Sequence, residues 1–168
     1  MTPLRLEMLT AERFEPFGDV IATDRECVRY PINEGLTERF HALGSVDCSA
    51  EGGKAAISIF RAQPVADGFE LRTMECHPLG SQAFINCSGN PYIVVVAPAG
   101  ELDESEIRGF IAAPNQSVNY HRGTWHHYLM ALHDQSDFVI VDRVCDGESD
   151  DANLRERPLD TTLTLVLS

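Results

Sequence analysis

The sequence predicts a mainly β protein, folded as a sandwich or a barrel. Apolar runs rich in β-branched and aromatic residues recur along the chain, each about six residues long. Turn-forming sequences such as Pro78-Leu79-Gly80 and Ser88-Gly89-Asn90-Pro91 separate these runs, and helical patterns fade after residue 18. Short strands with regular turns are typical of sandwiches and barrels and not of alternating βαβ units.

The elements follow in order along the chain. A short helix is expected at residues 10–18, with Thr10 as its N-cap and Gly18 as its end, although Pro16 removes one helical hydrogen bond. The expected strands are 55–60, 71–76, 82–87, 92–97, 107–112, 127–132 and 137–142. For the apolar segment 162–167 an edge strand, a docked tail and a subunit contact all stay open.

Length and charge restrict the class of protein. A chain of 168 residues favours one domain with a substantial core. A formal net charge of −13 argues against nucleic acids and anionic membranes as partners. No apolar run approaches the ~18 residues that a membrane span needs. Five cysteines without a C-x-x-C pair are expected to be reduced, which indicates a soluble cytoplasmic protein.

The most informative segment is 75–84, with the sequence Glu-Cys-His-Pro-Leu-Gly-Ser-Gln-Ala-Phe. Side chains two positions apart on a strand share a face, so Glu75 and His77 should project into one cavity, with Gln82 arriving from the next strand. Cys76 then points away from them and is interpreted as a buried apolar residue. A carboxylate beside an imidazole suits proton transfer or metal binding.

A second polar cluster occupies residues 119–127, with the sequence Asn-Tyr-His-Arg-Gly-Thr-Trp-His-His. It holds three of the six histidines and the only tryptophan. Neighbouring residues on a strand point to opposite faces, so only one of His126 and His127 should enter a shared cavity.

The spacing of these two segments resembles the two signature blocks of the cupin superfamily. The matching patterns are Glu75-x-His77 followed by Gln82 and Gly89, and His121-x-Gly123-x-x-His126. Cupins are double-stranded jelly-roll barrels whose four signature side chains usually hold a divalent metal. The resemblance implies that fold, with a metal held by Glu75, His77, Gln82 and His126.

The ligand set departs from the cupin pattern at two positions. Glu75 stands where cupins have a histidine, and Gln82 stands where they have a glutamate. Two imidazoles, a carboxylate and an amide oxygen would suit Ni²⁺, Zn²⁺ or Mn²⁺. An amide oxygen binds cations more weakly than a carboxylate does, so a purely structural hydrogen-bonding role for Gln82 stays open.

A longer resemblance, to the ureidoglycolate lyase family, covers residues from about 10 to about 145. Besides segment 75–84, the matching strings are Ile32–His41 (INEGLTERFH), Ile57–Pro64 (ISIFRAQP), Tyr92–Pro98 (YIVVVAP), Val118–His127 (VNYHRGTWHH) and Asp137–Arg143 (DFVIVDR). It implies a homodimeric carbon–nitrogen lyase that cleaves (S)-ureidoglycolate to glyoxylate and urea in allantoin degradation, with nickel or another divalent ion. The tail 146–168 matches no pattern.

That reaction removes a hydroxyl proton, protonates the departing nitrogen and holds a carboxylate. The candidate catalytic residues are Glu75, His77, His121 and His126. The candidate substrate-binding residues are Arg61, Asn119, Tyr120, Arg122 and Trp125, and an arginine is expected at the substrate carboxylate because the two groups pair in a bidentate way.

Two alternatives stay open beside the lyase. One is a different metal-dependent cupin, and the other is a non-catalytic cupin that binds a small carboxylate as a sensor. The strong negative charge argues against a transcription factor.

Overall fold

The computed structural model describes residues 1–145 and 151–167, and these residues form β-strands with one short α-helix. The strands are β1 Thr2–Met8, β2 Gly18–Ile21, β3 Arg29–Ile32, β4 Thr37–Phe40, β5 Lys54–Ala62, β6 Glu70–Cys76, β7 Gln82–Asn86, β8 Tyr92–Ala97, β9 Arg108–Ala112, β10 Ser117–Tyr120, β11 Trp125–His126, β12 Met130–Ala131, β13 Ser136–Val144 and β14 Arg155–Val166. The helix α1 is Ala11–Phe14, and short 3₁₀ turns occupy Asn33–Gly35, Ala50–Gly52, Glu104–Glu106 and Asp151–Asn153.

Two sheets make up the body of the protein. In the first, the strands run in the order β11-β6-β14-β1-β9-β8, and β8 pairs back with β11, which closes the ring, while β12 extends from β8. The second sheet has the order β2-β10-β7-β13-β5, and β3 with β4 forms a separate hairpin. The predicted mainly β barrel with a short N-terminal helix is therefore confirmed.

Strand β8 explains how the hydrophobic core is divided. All six of its residues are buried. Tyr92, Val94 and Val96 face a first core, which also contains Phe84 and Tyr120 from the second sheet. The alternate residues of β8 face a second core inside the ring, together with Leu71, Trp125 and Leu165. A strand that is covered on both faces needs apolar residues at successive positions, and the sequence YIVVVA has this pattern.

Helix α1 is shorter than expected. It begins where Thr10 Oγ1 accepts a hydrogen bond from Arg13 N at 3.3 Å, as the N-cap prediction requires. It ends at Phe14, because Pro16 cannot continue the hydrogen-bond ladder. Gly18 is no helix stop but the first residue of β2, where a Cβ would lie 2.1 Å from Asn119 O. Within the described residues, no helix is long and apolar enough to cross a membrane.

Most expected strands occur near their predicted positions, but the strand expected at 127–132 is wrong. Residues 127–129 lie between β11 and β12 and belong to neither. The segment 162–167 is largely part of β14, which is a strand of the ring and pairs with β6 on one side and β1 on the other. It is therefore a docked strand, and the edge-strand alternative is excluded.

Candidate active site

Three potential metal-binding side chains converge where β6 and β11 meet. Glu75 and His126 lie directly opposite each other on these antiparallel strands, and paired residues share a face of the sheet. His77 follows immediately after β6. One ligand atom from each of the three residues lies within 4.8 Å of the others, so the group can hold a metal ion.

The two imidazoles are held in the same tautomer. His77 Nδ1 donates to Asn153 O at 2.8 Å, and His126 Nδ1 donates to His127 O at 3.1 Å. A carbonyl only accepts, so each Nδ1 carries the proton and each Nε2 keeps a lone pair. Both Nε2 atoms are buried and have no hydrogen-bond partner among the described residues. Histidines that bind a metal typically donate one ring N–H to a carbonyl or similar acceptor, which leaves the other ring nitrogen for the metal.

Burial keeps His126 neutral. The side chain is almost fully buried, and this burial, helped by the neighbouring His77, lowers the pKa of His126 to about 3. Glu75 Oε1 lies 3.7 Å from His126 Nδ1, but a neutral imidazole forms no ion pair with it. The shorter contact to the His127 carbonyl therefore decides the orientation of the ring.

The environment of Glu75 disfavours its charged form. Burial, and secondly the nearby Glu156, raise the pKa of Glu75 to about 7. Glu156 lies opposite Glu75 on β14 and accepts a hydrogen bond from Tyr128 Oη at 3.1 Å. A cation placed beside Glu75 would favour its charged form.

Gln82 offers an unused acceptor beside this group. Its Nε2 donates to Asp142 Oδ2 at 3.2 Å, while Oε1 is buried without a partner among the described residues. Since a carboxylate only accepts, the amide nitrogen has to face Asp142. The carbonyl oxygen then stays available to a ligand.

Glu75, Gln82 and His126 line a cleft of about 450 Å³. Its walls come from β5, β6, β7, β11 and the segment after β11, and the lining residues are Ile59, Phe60, Arg61, Ala62, Glu75, Gln82, Phe84, His126, Tyr128 and Leu129. The volume suits a small ligand. His77 does not line the cleft, although one of its ligand atoms lies within 4.8 Å of those of Glu75 and His126.

Arg61 is the one cationic side chain among the lining residues. Its Nε and one terminal nitrogen donate to the two oxygens of Asp137 at 2.8 and 2.9 Å. This bidentate pair is exposed to solvent, and Asp137 in turn raises the pKa of Arg61. An incoming carboxylate would have to compete with Asp137 for the guanidinium group.

The other predicted substrate-binding residues do not line the cleft. Tyr120 stacks on His126, with ring centroids 4.6 Å apart and an interplanar angle of 18°, and so supports the His126 ring. Trp125 donates from Nε1 to Gly100 O at 2.9 Å and packs in the second core. Alternation along β11 sends Trp125 and His126 to opposite faces.

Asn119, His121 and Arg122 also lie away from the cleft. Asn119 is on the outer face of β10 and donates to Asp19 Oδ2 at 3.0 Å. His121 Nε2 lies 3.1 Å from the same carboxylate oxygen, and its side chain is about half exposed. Arg122 donates to Asp47 Oδ1 at 2.6 Å. The prediction that these three side chains lie with His126 rested on their closeness in sequence. They point elsewhere, because residues of β10 alternate between faces and the chain turns after it.

Several residues of the site went unpredicted. Phe60, Phe84 and Leu129 supply apolar walls, and Tyr128 stands at the cleft. Phe84 and Phe60 lie in the matched strings, which was an available signal. Asn153 and Glu156 lie in the tail, where the sequence offered none.

Known proteins resemble the chain over nearly its whole length. A family model described as "Ureidoglycolate lyase" matches residues 1–166. A protein of Burkholderia mallei named ureidoglycolate lyase is 50% identical over 166 residues, which cover 99% of this chain and 95% of that protein. One of Burkholderia cepacia is 53% identical, covering 83% and 79%, and one of Pseudomonas syringae pv. syringae is 47% identical, covering 90% and 89%.

A solved structure of oxalate decarboxylase is also similar, at 15% identity and a TM-score of 0.38. The match covers 62% of this chain, which spans about a quarter (24%) of that chain.

Proposed function

Because the chain belongs to the ureidoglycolate lyase family, we propose that it cleaves (S)-ureidoglycolate to glyoxylate and urea. The observation that carries this proposal at the level of chemistry is the group of Glu75, His77 and His126 at the base of a cleft of substrate size. The cleft is lined by a carboxylate, one imidazole and one arginine, with the His77 imidazole next to Glu75 and His126, and these groups suit a small hydroxy acid.

The residues present fit a divalent cation. One ligand atom from each of Glu75, His77 and His126 lies within 4.8 Å of the others. His77 Nε2, His126 Nε2 and Gln82 Oε1 are buried without partners among the described residues, so nitrogen and oxygen donors are both available. We propose Ni²⁺ or a similar borderline ion for these donors. When bound, such an ion would supply a Lewis acid for the hydroxyl and carboxylate oxygens of the substrate.

We assign proton transfer to Glu75, which is the only carboxylate among the described residues that line the cleft. It takes the hydroxyl proton as the C–O bond becomes the C=O bond of glyoxylate and the C–N bond breaks. The same proton is then delivered to the departing urea nitrogen. No water is consumed, and the proton count is unchanged.

Arg61 and the apolar walls of the cleft orient the substrate. Arg61 already forms the fork geometry that a carboxylate accepts, at present with Asp137. Phe60 and Phe84 contribute apolar surface to the wall of the cleft.

Turnover of racemic ureidoglycolate tests the proposal. We expect equimolar glyoxylate and urea, with the R enantiomer left over. Ammonia in place of urea would indicate an amidohydrolase. A lack of turnover both with and without added Ni²⁺ would favour a binding protein over a lyase.

We also propose a homodimer formed through the outer face of the second sheet. Strand β5 is an edge strand, its residue Ile57 is 78% exposed outside the cleft, and Ile59, which also lines the cleft, is 69% exposed. In register with them, Val139 and Val141 of β13 continue the same face. A long apolar edge of this kind is usually covered, and a two-fold axis lets the face pair with itself.

All five cysteines are free thiols. We propose on this ground that the enzyme works in the reducing cytoplasm. We also propose that it acts in allantoin degradation, as its family implies.

A further inference from the structure

The C-terminal part of the chain reaches the site through one buried residue, Asn153. Its side chain is 5% exposed. Its backbone oxygen accepts from His77 Nδ1 at 2.8 Å, and its Oδ1 accepts from Leu79 N at 2.8 Å. A single residue thus holds both ends of the segment His77–Leu79.

Strand pairing brings Asn153 to this position. Just after it, β14 runs antiparallel to β6, with Arg155 opposite Cys76 and Glu156 opposite Glu75. The 3₁₀ turn Asp151–Asn153 therefore lies beside the end of β6, where His77 leaves the strand. The contact spans 76 positions of sequence and exists only in the folded chain.

The two hydrogen bonds have different consequences. The bond to His77 decides which ring nitrogen carries the proton, since a carbonyl only accepts, and it leaves the Nε2 lone pair directed elsewhere. Any residue has a backbone carbonyl, so this bond alone does not require asparagine. The bond from Leu79 N does require a side-chain acceptor, and it keeps the carbonyl of residue 153 beside the imidazole.

We propose that Asn153 is a positioning residue for the metal-binding group. Its Oδ1 ties the turn to Leu79, and this tie keeps its carbonyl on His77 Nδ1, so that His77 presents Nε2 to a divalent cation. Outer partners of ligating histidines commonly have this role. The inference rests on the proposed function only in taking Glu75, His77 and His126 as a cation site.

The full-length protein allows two readouts, both independent of turnover. The first is the affinity for Ni²⁺ alone, measured by calorimetry after treatment with a chelator. The second is the tautomer of each histidine in the metal-free protein, measured by long-range ¹H–¹⁵N NMR. His126, whose Nδ1 donates to a different carbonyl, is the internal reference.

Asn153→Ala removes the acceptor for Leu79 N. We expect its Kd for Ni²⁺ to rise by about 10- to 100-fold, and the His77 signals to shift from the pure Nδ1–H form to a mixture while those of His126 stay unchanged. Asn153→Asp keeps an oxygen of the same reach and should restore both readouts. If Asn153→Ala does not fold, Asn153→Ser is used in its place, because the serine side chain is polar but shorter than that of asparagine.

Asn86→Ala is the matched control. Asn86 also ties a turn, since its Oδ1 accepts from Gly89 N at 3.2 Å, but it does not line the cleft. Its loss should leave the Ni²⁺ affinity and both tautomers unchanged.

Three results would overturn the proposal. One is an alanine or serine variant with the wild-type affinity and an unchanged His77 tautomer. Another is a wild-type protein whose metal-free His77 carries its proton on Nε2. The third is a wild-type protein that turns over ureidoglycolate but binds no Ni²⁺, in which case the cation role of Asn153 fails while the lyase function stands.

Discussion

Glu75 and Glu156 lie directly opposite each other on the antiparallel strands β6 and β14. Like charges in this position destabilise a sheet. Together with burial, the main cause, this neighbour raises the pKa of Glu75 to about 7. The folded protein therefore holds a carboxylate where its charged form is unfavourable, unless a cation is bound beside it.

Glu75→Gln should stabilise the metal-free protein at pH 8 and abolish turnover. An acid whose pKa is raised on folding lowers the free energy of unfolding when it is charged. This cost grows as pH rises from the unfolded pKa, 4.5, to the folded pKa, and it is fully present above pH 7. Removing the charge should therefore raise the free energy of unfolding by on the order of 2 kcal/mol at pH 8, allowing for solvent screening, and by almost nothing at pH 4. Urea denaturation of chelator-treated protein at both pH values measures this difference.

Glu156→Gln serves as the comparison for that experiment. It removes only the smaller cause of the shift, so the gain at pH 8 should be smaller than for Glu75→Gln. Equal stability of wild type and Glu75→Gln at pH 8 would contradict the raised pKa.

His126→Ala should abolish glyoxylate release while the protein stays folded. The change removes one of the two buried Nε2 atoms that we propose as ligands of a cation. We expect at least a 100-fold loss of kcat/KM, about 3 kcal/mol of transition-state stabilisation. Circular dichroism checks the fold.

His121→Ala is the control for the histidine cluster. His121 is about half exposed, pairs with Asp19 and does not line the cleft, so we expect near-normal kcat and KM. A large loss of kcat here, with His126→Ala near normal, would restore the catalytic role that the sequence suggested for His121 and remove His126 from the mechanism.

Arg61→Ala should raise KM more than it lowers kcat. Arg61 is the only cationic residue in the lining and is proposed to hold the substrate carboxylate. A lost charged hydrogen-bond pair should raise KM by about ten-fold or more. Because the Arg61–Asp137 pair is exposed, the melting temperature should hardly change.

Asp137→Asn tests the competition between the two carboxylates. It weakens the existing partner of Arg61, so KM should fall or stay constant. A rise in KM as large as that of Arg61→Ala would show that the ion pair only supports the strand.

Ile57→Asp should convert the proposed dimer into a monomer. Ile57 is 78% exposed on the outer face of β5 and is outside the cleft lining, so a charge there should not disturb the fold of one chain. Analytical ultracentrifugation gives the mass. Met8→Asp, at a residue that is 57% exposed on β1, should leave the mass unchanged. A wild-type monomer at micromolar concentration would rule out the dimer.

Local sequence patterns predicted the parts of the fold that depend on near neighbours. Thr10 caps a helix, Pro16 limits it, and the run at Tyr92–Ala97 forms a buried strand. Strands with charged residues, such as β1, and very short ones, such as β11, carried weaker patterns and were missed. Gly18 was misinterpreted because its close approach to the Asn119 carbonyl is a contact between distant segments.

For the site, the sequence by itself determined that Glu75 and His77 share a face, that Cys76 points away and that His126 and His127 diverge, because alternation along a strand is a local property. Only the tertiary structure decided that His121 and Asn119 stay outside the cleft, that Arg61 is paired, and that Asn153 and Glu156 return from the tail to the site. Those facts depend on which strands become neighbours, and this is set by packing of the whole core and not by any short segment.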